Sequence, residues 1–296
     1  NDTFDYDFFK RRIEYALNYR MKVMPNDLNA FRLIYGEADF LSGLTVDKFN
    51  DCLVCQILSL GIDIRKDIIL KALYDVVSKY FKIRGIYLRC DVALREKEGL
   101  EEYVGWYDKI PVTSQETTTE IVENGLKYLV DFKEGQKTGF FLDQKYNRLT
   151  IRNLAKDMTV LDCCTHTGSF AMNAALGGAK KVMALDISQK ALLDAKKNFW
   201  LNNLNIDTYC ADLFDYLRKL VDSKNKEYNL IILDPPAFTK SKDTIKSALK
   251  GYQEINYLAM KALPRGGYLA TASCSHYASE EDFIRAIFNA SIMAGV

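Results

Sequence analysis

Cysteine and histidine are scarce in this chain of 296 residues, seven of one and two of the other. One of each stands in "TASCSHY", Thr271 to Tyr277, where Cys274 follows what reads as a buried strand and His276 comes two positions later. A thiol there is either inert core or a nucleophile. The nucleophile would have to be the thiolate, and an ordinary cysteine titrates near ~8.5, so a base or a favourable field is required. His276 is either that partner or an exposed loop histidine. A second reactive candidate is Asp234 in "YNLIILDPP". It ends an apolar run, where a carboxylate without a task is costly to bury. Pro235 and Pro236 lack N–H groups and stiffen the loop that follows. The plain alternative for Asp234 is a helix cap.

Three further acids fall at similar places. Asp162 stands in "LDCCTHTGSF", Asp186 ends "KKVMALD" and Asp212 ends "IDTYCAD". The loop after Asp162 holds one glycine, Gly168, so neither the dinucleotide fingerprint nor a phosphate loop is present. An acid closing the second strand suits ribose hydroxyls. An acid near the first suits an amino-bearing or cationic ligand. An adenosine with a positively charged tail and no phosphates fits both, and S-adenosylmethionine is such a ligand. Taken singly, Asp186 and Asp212 are also ordinary helix caps; their convergence with Asp162, Asp234 and Cys274 carries the reading.

The elements that must position these residues follow from hydrophobic period. From Asp143 onward, helix and strand alternate: "YNRLTIRNLA" helix, "TVLDCC" strand, "GSFAMNAALGG" helix, "KKVMALD" strand, "SQKALLDAKKNFWLNN" helix, "IDTYCAD" and "YNLIILDPP" strands, "YQEINYLAMKAL" helix, "GGYLATASCS" strand, then a last helix from Ser279. This is the pattern of an α/β, doubly wound, parallel Rossmann-like sheet, which binds ligands beyond the carboxyl ends of its strands. Before it, residues 1–105 read as a smaller N-terminal α/β domain, with helices near 4–24 and in "RKDIILKALYDVVSKYF" and strands in "CLVCQILSL" and "GIYLRCD". Residues 106–136 read as a linking β-hairpin around Asn124-Gly125. The ligand-binding domain is then 137–296.

Composition narrows the class. Apolar residues make up 48% and the formal charge is +1, against broad coating of nucleic acid and compatible with a local basic cleft. No apolar run is long enough for a membrane span and no signal peptide opens the chain. Irregularly spaced cysteines point to a reducing cytoplasm. Cys52 and Cys55 form a C-x-x-C inside a strand pattern, which sends their side chains to opposite faces, so no metal site is expected. The first residue is Asn1, which reads as a piece of a longer chain.

"TGFFLDQKYNR", "LDCCTHTGSFAMNAALGGAKKV", "DPPAF" and "SCSHY" together resemble the class I methyltransferases that form 5-methylcytosine in large-subunit rRNA. The nearest resemblance is to the RlmI-like group, whose members carry an N-terminal PUA domain. "GEADFLSGLTVDKF", "DVALREKEGL" and "VENGLKYLVDFKEGQKTGFFLDQ" extend it upstream, from about Ala30 to the end. The resemblance implies S-adenosylmethionine as cofactor and rRNA as partner. It implies a first loop made by Asp162, Thr165, Gly168 and Ser169, with Asp186 on the ribose and Asp212 on the adenine edge. Gln144 and Arg148 would hold the amino-acid end, Asp234 would face both methyl donor and base, and Cys274 would be the nucleophile. Two departures are expected: the PUA domain is missing in front, and the two strands that close the family's sheet are missing behind. Many cytosine-C5 enzymes also place a second cysteine before the proline of the fourth-strand motif, where this chain has "DPP".

Around the target base, Pro235 and Phe238 are candidate substrate contacts, with Phe238 stacking on a base. Lys240, Lys242, Lys246 and Lys250 are candidates for phosphates, with Lys137 and Lys145 on the other side. The plain reading is a solvated loop and helix face. Cys163, Cys164 and Cys210 read as core thiols. Three alternatives stay open: a ring-nitrogen methyltransferase acting on a purine in rRNA, a non-catalytic RNA-binding module, and a small-molecule methyltransferase. A homodimer is compatible with the sequence, which does not decide the oligomeric state.

Overall fold

The structure is a computed structural model that describes residues 3–239, 241–275 and 277–296, without the side chain of Lys242. Contacts divide the chain into a unit ending at Lys145 and a unit beginning at Tyr146.

The first unit opens with α1 (Tyr6–Val23), whose N-terminus is capped by the Asp5 carboxylate accepting from the Phe8 amide. Then come β1 (Ala30–Tyr35), β2 (Leu44–Phe49), β3 (Cys52–Ile57), the one-turn α2 (Leu60–Asp63), α3 (Lys66–Val77), β4 (Gly85–Cys90), the one-turn α4 (Leu94–Lys97) and β5 (Tyr103–Trp106). Among the described residues they form one mixed sheet in the order β1-β2-β3-β4-β5, with only the β3–β4 pair parallel. That pair is joined through α3, as a parallel connection requires. Phe9, Ile13 and Leu17 of α1 and Ile69, Leu73 and Val76 of α3 close one face of the sheet in a single apolar core. Cys55 joins that core, whereas the Cys52 sulfur meets Arg84 Nε at 3.0 Å, so the two thiols face opposite sides.

The hairpin is β6 (Thr118–Glu123) and β7 (Leu126–Asp131), turning at Asn124-Gly125 with φ of 53° and 74°. Positive φ at both central residues is what a type I′ turn demands. The hairpin is held within the first unit: Val122 N donates to Asn29 Oδ1 at 2.7 Å and Arg84 Nη2 to the Thr118 carbonyl at 3.3 Å. Contacts therefore break at 145/146, and not at the expected boundaries near 105 and 136.

The second unit contains α5 (Lys145–Leu154) from its second residue on, then β8 (Thr159–Cys163), α6 (Ser169–Leu176), β9 (Lys181–Asp186), α7 (Gln189–Leu201), β10 (Asp207–Cys210), α8 (Leu213–Asp222), β11 (Leu230–Leu233), α9 (Ile245–Ala262), β12 (Tyr268–Thr271) and α10 (Glu280–Ala294). Among the described residues the sheet runs β10-β9-β8-β11-β12 and every pair is parallel. Leu161, Cys163, Leu185, Ile231 and Leu233 bury one face under α8, α9 and α10. The alternate residues, among them Asp162, point to the opposite face, where α6 and α7 contact β8 and β9.

Register aligns the carboxyl ends. Cys163 pairs with Leu185 and Leu233, Leu233 with Thr271, and Asp186 with Cys210. The chain leaves β8 toward β9 and returns to β11 on its other side, which opens the crevice of a doubly wound sheet at the end of β8. One strand is shorter than its apolar pattern predicts. β12 stops at Thr271; the amide of Ala272 still donates to the Leu233 carbonyl at 2.8 Å, and beyond that point β11 has given way to Asp234-Pro235-Pro236. Prolines have no N–H to continue a ladder. Cys274 consequently stands in a loop and is exposed.

Candidate active site

Asp162 is 1% exposed on the α6 side of β8. Its Oδ2 accepts from Thr165 Oγ1 at 2.6 Å and from the Ala171 amide, in the first turn of α6, at 2.9 Å. Its Oδ1 is buried with no hydrogen-bond partner. Burial pushes its pKa up to about 7; the bonds from Thr165 and Ala171 oppose that, and the charges of Asp234 and Asp186 add to it. An orphaned carboxylate oxygen among other acids is the arrangement a cationic or amino-bearing ligand satisfies.

The loop after β8 is held from both sides. The Thr165 amide donates to the Leu185 carbonyl, the Gly168 amide to the Thr165 carbonyl, and Asn198 Nδ2 to the Thr167 carbonyl. Gly168 has φ +80°, and a Cβ there would lie 2.3 Å from the Phe199 ring. Only glycine lets the backbone pass this close to α7. Ser169 begins α6 behind it. Asp186 is oriented by two amides: Oδ2 accepts from His166 N at 2.9 Å and Oδ1 from Ser188 N at 2.8 Å. Each oxygen keeps a lone pair for a diol. Asp212 lies past the end of β10 and caps α8, its Oδ1 accepting from the Phe214 and Asp215 amides. The helix-cap reading of Asp212 is thus realised, and only Oδ2 stands outside the cap. Arg148 is buried on α5, and Gln144 ends a single 3-10 turn in the first unit.

On the other side of the crevice, the Cys274 sulfur lies 3.6 Å from the Pro235 carbonyl oxygen. The loops after β11 and β12 therefore meet. Asp234 is half-buried at the head of the first and Pro235 is buried. The cysteine loop is anchored from below, where Ser275 Oγ and Tyr252 OH, both buried, are 2.7 Å apart. The Tyr252 ring lies 4.6 Å from the Phe238 ring and edge-on to Phe283 at 5.1 Å. One tyrosine on α9 thus supports both loops.

Several expected positions differ. Phe238 packs between Tyr252 and Phe214, at 4.6 and 6.0 Å, and is a support of the "DPPAF" loop instead of an open stacking face. Lys145 is buried and paired with Asp27 at 2.6 Å, so it is not offered to phosphate. Lys137 lies 4.7 Å above the Phe141 ring. Lys246 and Lys250 are exposed on α9. Lys240 and His276 lie outside the described residues, as does the side chain of Lys242. Cys163 is buried, and burial pushes the Cys164 thiol up to about 12. Cys210 is exposed and donates to the Ile187 carbonyl at 3.4 Å; it lies one residue before the strand-to-helix loop and is no core thiol. Tyr252, Ser275, Phe199 and Ser188 were not singled out from the sequence. Ser188 carried a cap signal, accepting from the Ala191 amide at the start of α7. The others are ordinary residues whose partners lie far along the chain.

The sequence model of the S-adenosylmethionine-dependent methyltransferase family matches residues 100–286. A protein of Aeromonas salmonicida called ribosomal RNA large subunit methyltransferase I is 41% identical over 301 residues, covering 99% of this chain and 73% of its own length. Its counterpart of the same name in Vibrio cholerae is 40% identical, with 99% and 74% covered. Among solved structures, a SAM-dependent methyltransferase from Streptococcus mutans superposes with a TM-score of 0.82 at 22% identity, covering 98% of this chain and 73% of that one. A second with the same score is a methyltransferase complexed with SAH. At these identities the structural likeness concerns the fold.

Proposed function

Since the chain belongs to the ribosomal RNA large subunit methyltransferase I family of S-adenosylmethionine-dependent methyltransferases, we propose that it methylates C5 of a cytosine in large-subunit (23S) rRNA, acting in the cytoplasm with Cys274 as nucleophile and Asp234 beside it. The observation that carries this reading is the 3.6 Å approach of the Cys274 sulfur to the Pro235 carbonyl, which brings the thiol against the acid-headed loop of β11.

Cytosine C5 is a poor nucleophile. The Cys274 thiolate adds at C6, forming an S–C6 bond and placing the electron pair of the C5–C6 double bond on C5. S-adenosylmethionine, when bound, would supply the electrophilic methyl group for C5, its S–CH3 bond breaking to leave the neutral thioether S-adenosylhomocysteine. Asp234 hydrogen-bonds the amino or ring-nitrogen edge of the base and stabilises the adduct. Loss of the C5 proton to a base then breaks the S–C6 bond and returns the thiolate. The target must leave its stack to enter the site. For the cofactor, Asp162, Asp186, Asp212, Asp234 and the backbone of Thr165–Ser169 form the wall, with Gln144 and Arg148 at the amino-acid end. Pro235 borders the base, and Lys240 and Lys242 contact phosphates.

The test is incubation of the protein with S-adenosylmethionine and unmodified large-subunit rRNA, wild type against Cys274→Ala, with digested nucleosides read by mass spectrometry. The reading predicts 5-methylcytidine from wild type and none from the variant. A methylated purine that survives the substitution would make Cys274 a bystander and favour a ring-nitrogen methyltransferase.

A further inference from the structure

A cleft of about 620 Å³ in the first unit is lined by Pro25, Asn26, Asn29, Lys48, Asn50, Asp51, Phe81 and Lys82, among others. No role assigned above uses it. Its floor holds an unusual group. Lys48, on β2, is 2% exposed. Its ammonium donates to the Leu28 carbonyl at 3.0 Å and the Asn29 carbonyl at 3.4 Å, and lies 4.4 Å from the centre of the Phe81 ring. No carboxylate among the described residues reaches it within ion-pair distance; Asp51, the acid of the cleft, pairs with Arg84 Nη2 at 3.3 Å. Lysine is almost never buried without a partner. Burial pulls its pKa down to about 8, against weak support from Asp51 and Cys52.

The two carbonyls take two of the three N–H donors, the Phe81 and Phe31 rings face the ammonium at 4.4 and 5.8 Å, and no carboxylate among the described residues pairs with it. At the mouth, Lys82 is exposed and Asn26 offers an exposed carboxamide. The half-buried Phe81 ring adds an apolar wall. A dehydrated cation, a second cation lining the same cleft, a ring and an amide are complementary to a phosphate carrying a nucleoside. The volume is in the range of small-ligand sites.

We propose that this cleft binds a phosphodiester of the RNA substrate beside an unpaired nucleotide, with Lys48 below the phosphate and Lys82 at its rim. The inference rests on the reading that the substrate is RNA.

The test uses the full chain, filter binding to an unmodified large-subunit rRNA transcript across a salt series, and methyl transfer to the same transcript. Lys48→Met keeps the aliphatic stem against Phe81 and removes the charge; Lys82→Ala touches only the rim. Each is expected to weaken RNA binding roughly 3- to 10-fold near 0.1 M salt and to reduce the slope of log K against log salt by about 0.7–0.9. KM for RNA should rise with kcat and S-adenosylmethionine affinity unchanged. Inorganic phosphate at millimolar concentration should compete with RNA in the wild type and not in Lys48→Met. The proposal falls if both variants bind RNA with the wild-type slope. It also falls if Lys48→Met merely melts early while Lys82→Ala behaves as wild type, since Lys48 is then a strut for Leu28 and Asn29. Phosphate or a nucleoside monophosphate binding without displacing RNA would make the cleft a small-anion site and overturn it too. A wild type that methylates no RNA sinks the substrate reading first, and this inference with it.

Discussion

Asp162 lies in an environment that departs far from that of an ordinary carboxyl. Its folded pKa of about 7 lies above the unfolded value near ~3.9. The folded state thus keeps a proton that the unfolded chain has already released. The resulting contribution to stability, about 4 kcal/mol from that gap, is complete below about pH 4 and is lost as pH rises through about 7. Asp162→Asn is neutral throughout, and its carbonyl can still accept from Thr165 and Ala171. Denaturant midpoints measured from pH 5 to 8 should therefore fall less steeply in the variant, which is expected to be the more stable protein at pH 8. Its affinity for S-adenosylmethionine should nonetheless drop, because the orphaned oxygen that suits a cation is gone. Equal slopes in both proteins would mean that another group titrates. Tyr252 makes a second case. Tyr252→Phe keeps the ring against Phe238 and leaves Ser275 Oγ buried without a partner, at a cost of about 1–2 kcal/mol. Adding Ser275→Ala removes the stranded hydroxyl and should recover most of that stability. If Tyr252 positions Cys274, kcat stays low in the recovered double variant; if it only packs, activity returns with stability. Asp162, Asp186 and Asp234 could be picked out in the sequence because each sits at or near the end of an apolar run. The Tyr252–Ser275 bond could not, since helical period identifies the buried face of α9 and not the loop it meets.

At the scale of elements, turns separate two uses of glycine. Gly125 has φ +74° with open space around it, whereas Gly168 combines φ +80° with the Phe199 ring at 2.3 Å from a built Cβ. Gly125→Ala is expected to cost about 1 kcal/mol, the strain of a left-handed residue alone. Gly168→Ala carries that strain and displaces α7 or the cofactor loop, so its loss should be about 3 kcal/mol or more, with cofactor binding abolished. Chemical denaturation of the two variants, with calorimetric titration of S-adenosylmethionine, separates them; similar losses would deny the loop its tight passage against α7. The turn at Asn124-Gly125 was legible because the dipeptide itself favours positive φ. The central parallel strands β8 and β11 were legible because buried strands read as unbroken apolar runs. The early end of β12 was not, because it is set by the prolines of its neighbour and not by its own residues. Asp212 shows the same limit: the acid was visible, but whether it faces ligand or caps α8 depends on where β10 stops.

At the scale of the whole molecule, each unit carries an apolar core of its own and the formal charge is +1. Near-neutrality means that RNA affinity must come from a few local cations. The partition of roles between the units has its own consequence. Every proposed cofactor contact except Gln144 belongs to the second unit, and the loops involved are those after β8, β9, β10 and β11. A ligand that binds only the folded form stabilises it by about 2.7 kcal/mol at a concentration 100 times its Kd, and slowed amide exchange shows where. With S-adenosylmethionine or its demethylated product at that excess, the amides of His166, Ser188 and Ala171 should exchange more slowly. They are the donors that hold Asp186 and Asp162. The β2–β3–β4 ladder of the first unit should exchange as before, since none of its residues is assigned to the cofactor. Protection spread evenly over both units would mean that the ligand acts through global stability alone. Protection confined to the first unit would remove the crevice beyond β8 as the cofactor site and leave Asp162, with its orphaned oxygen, unexplained.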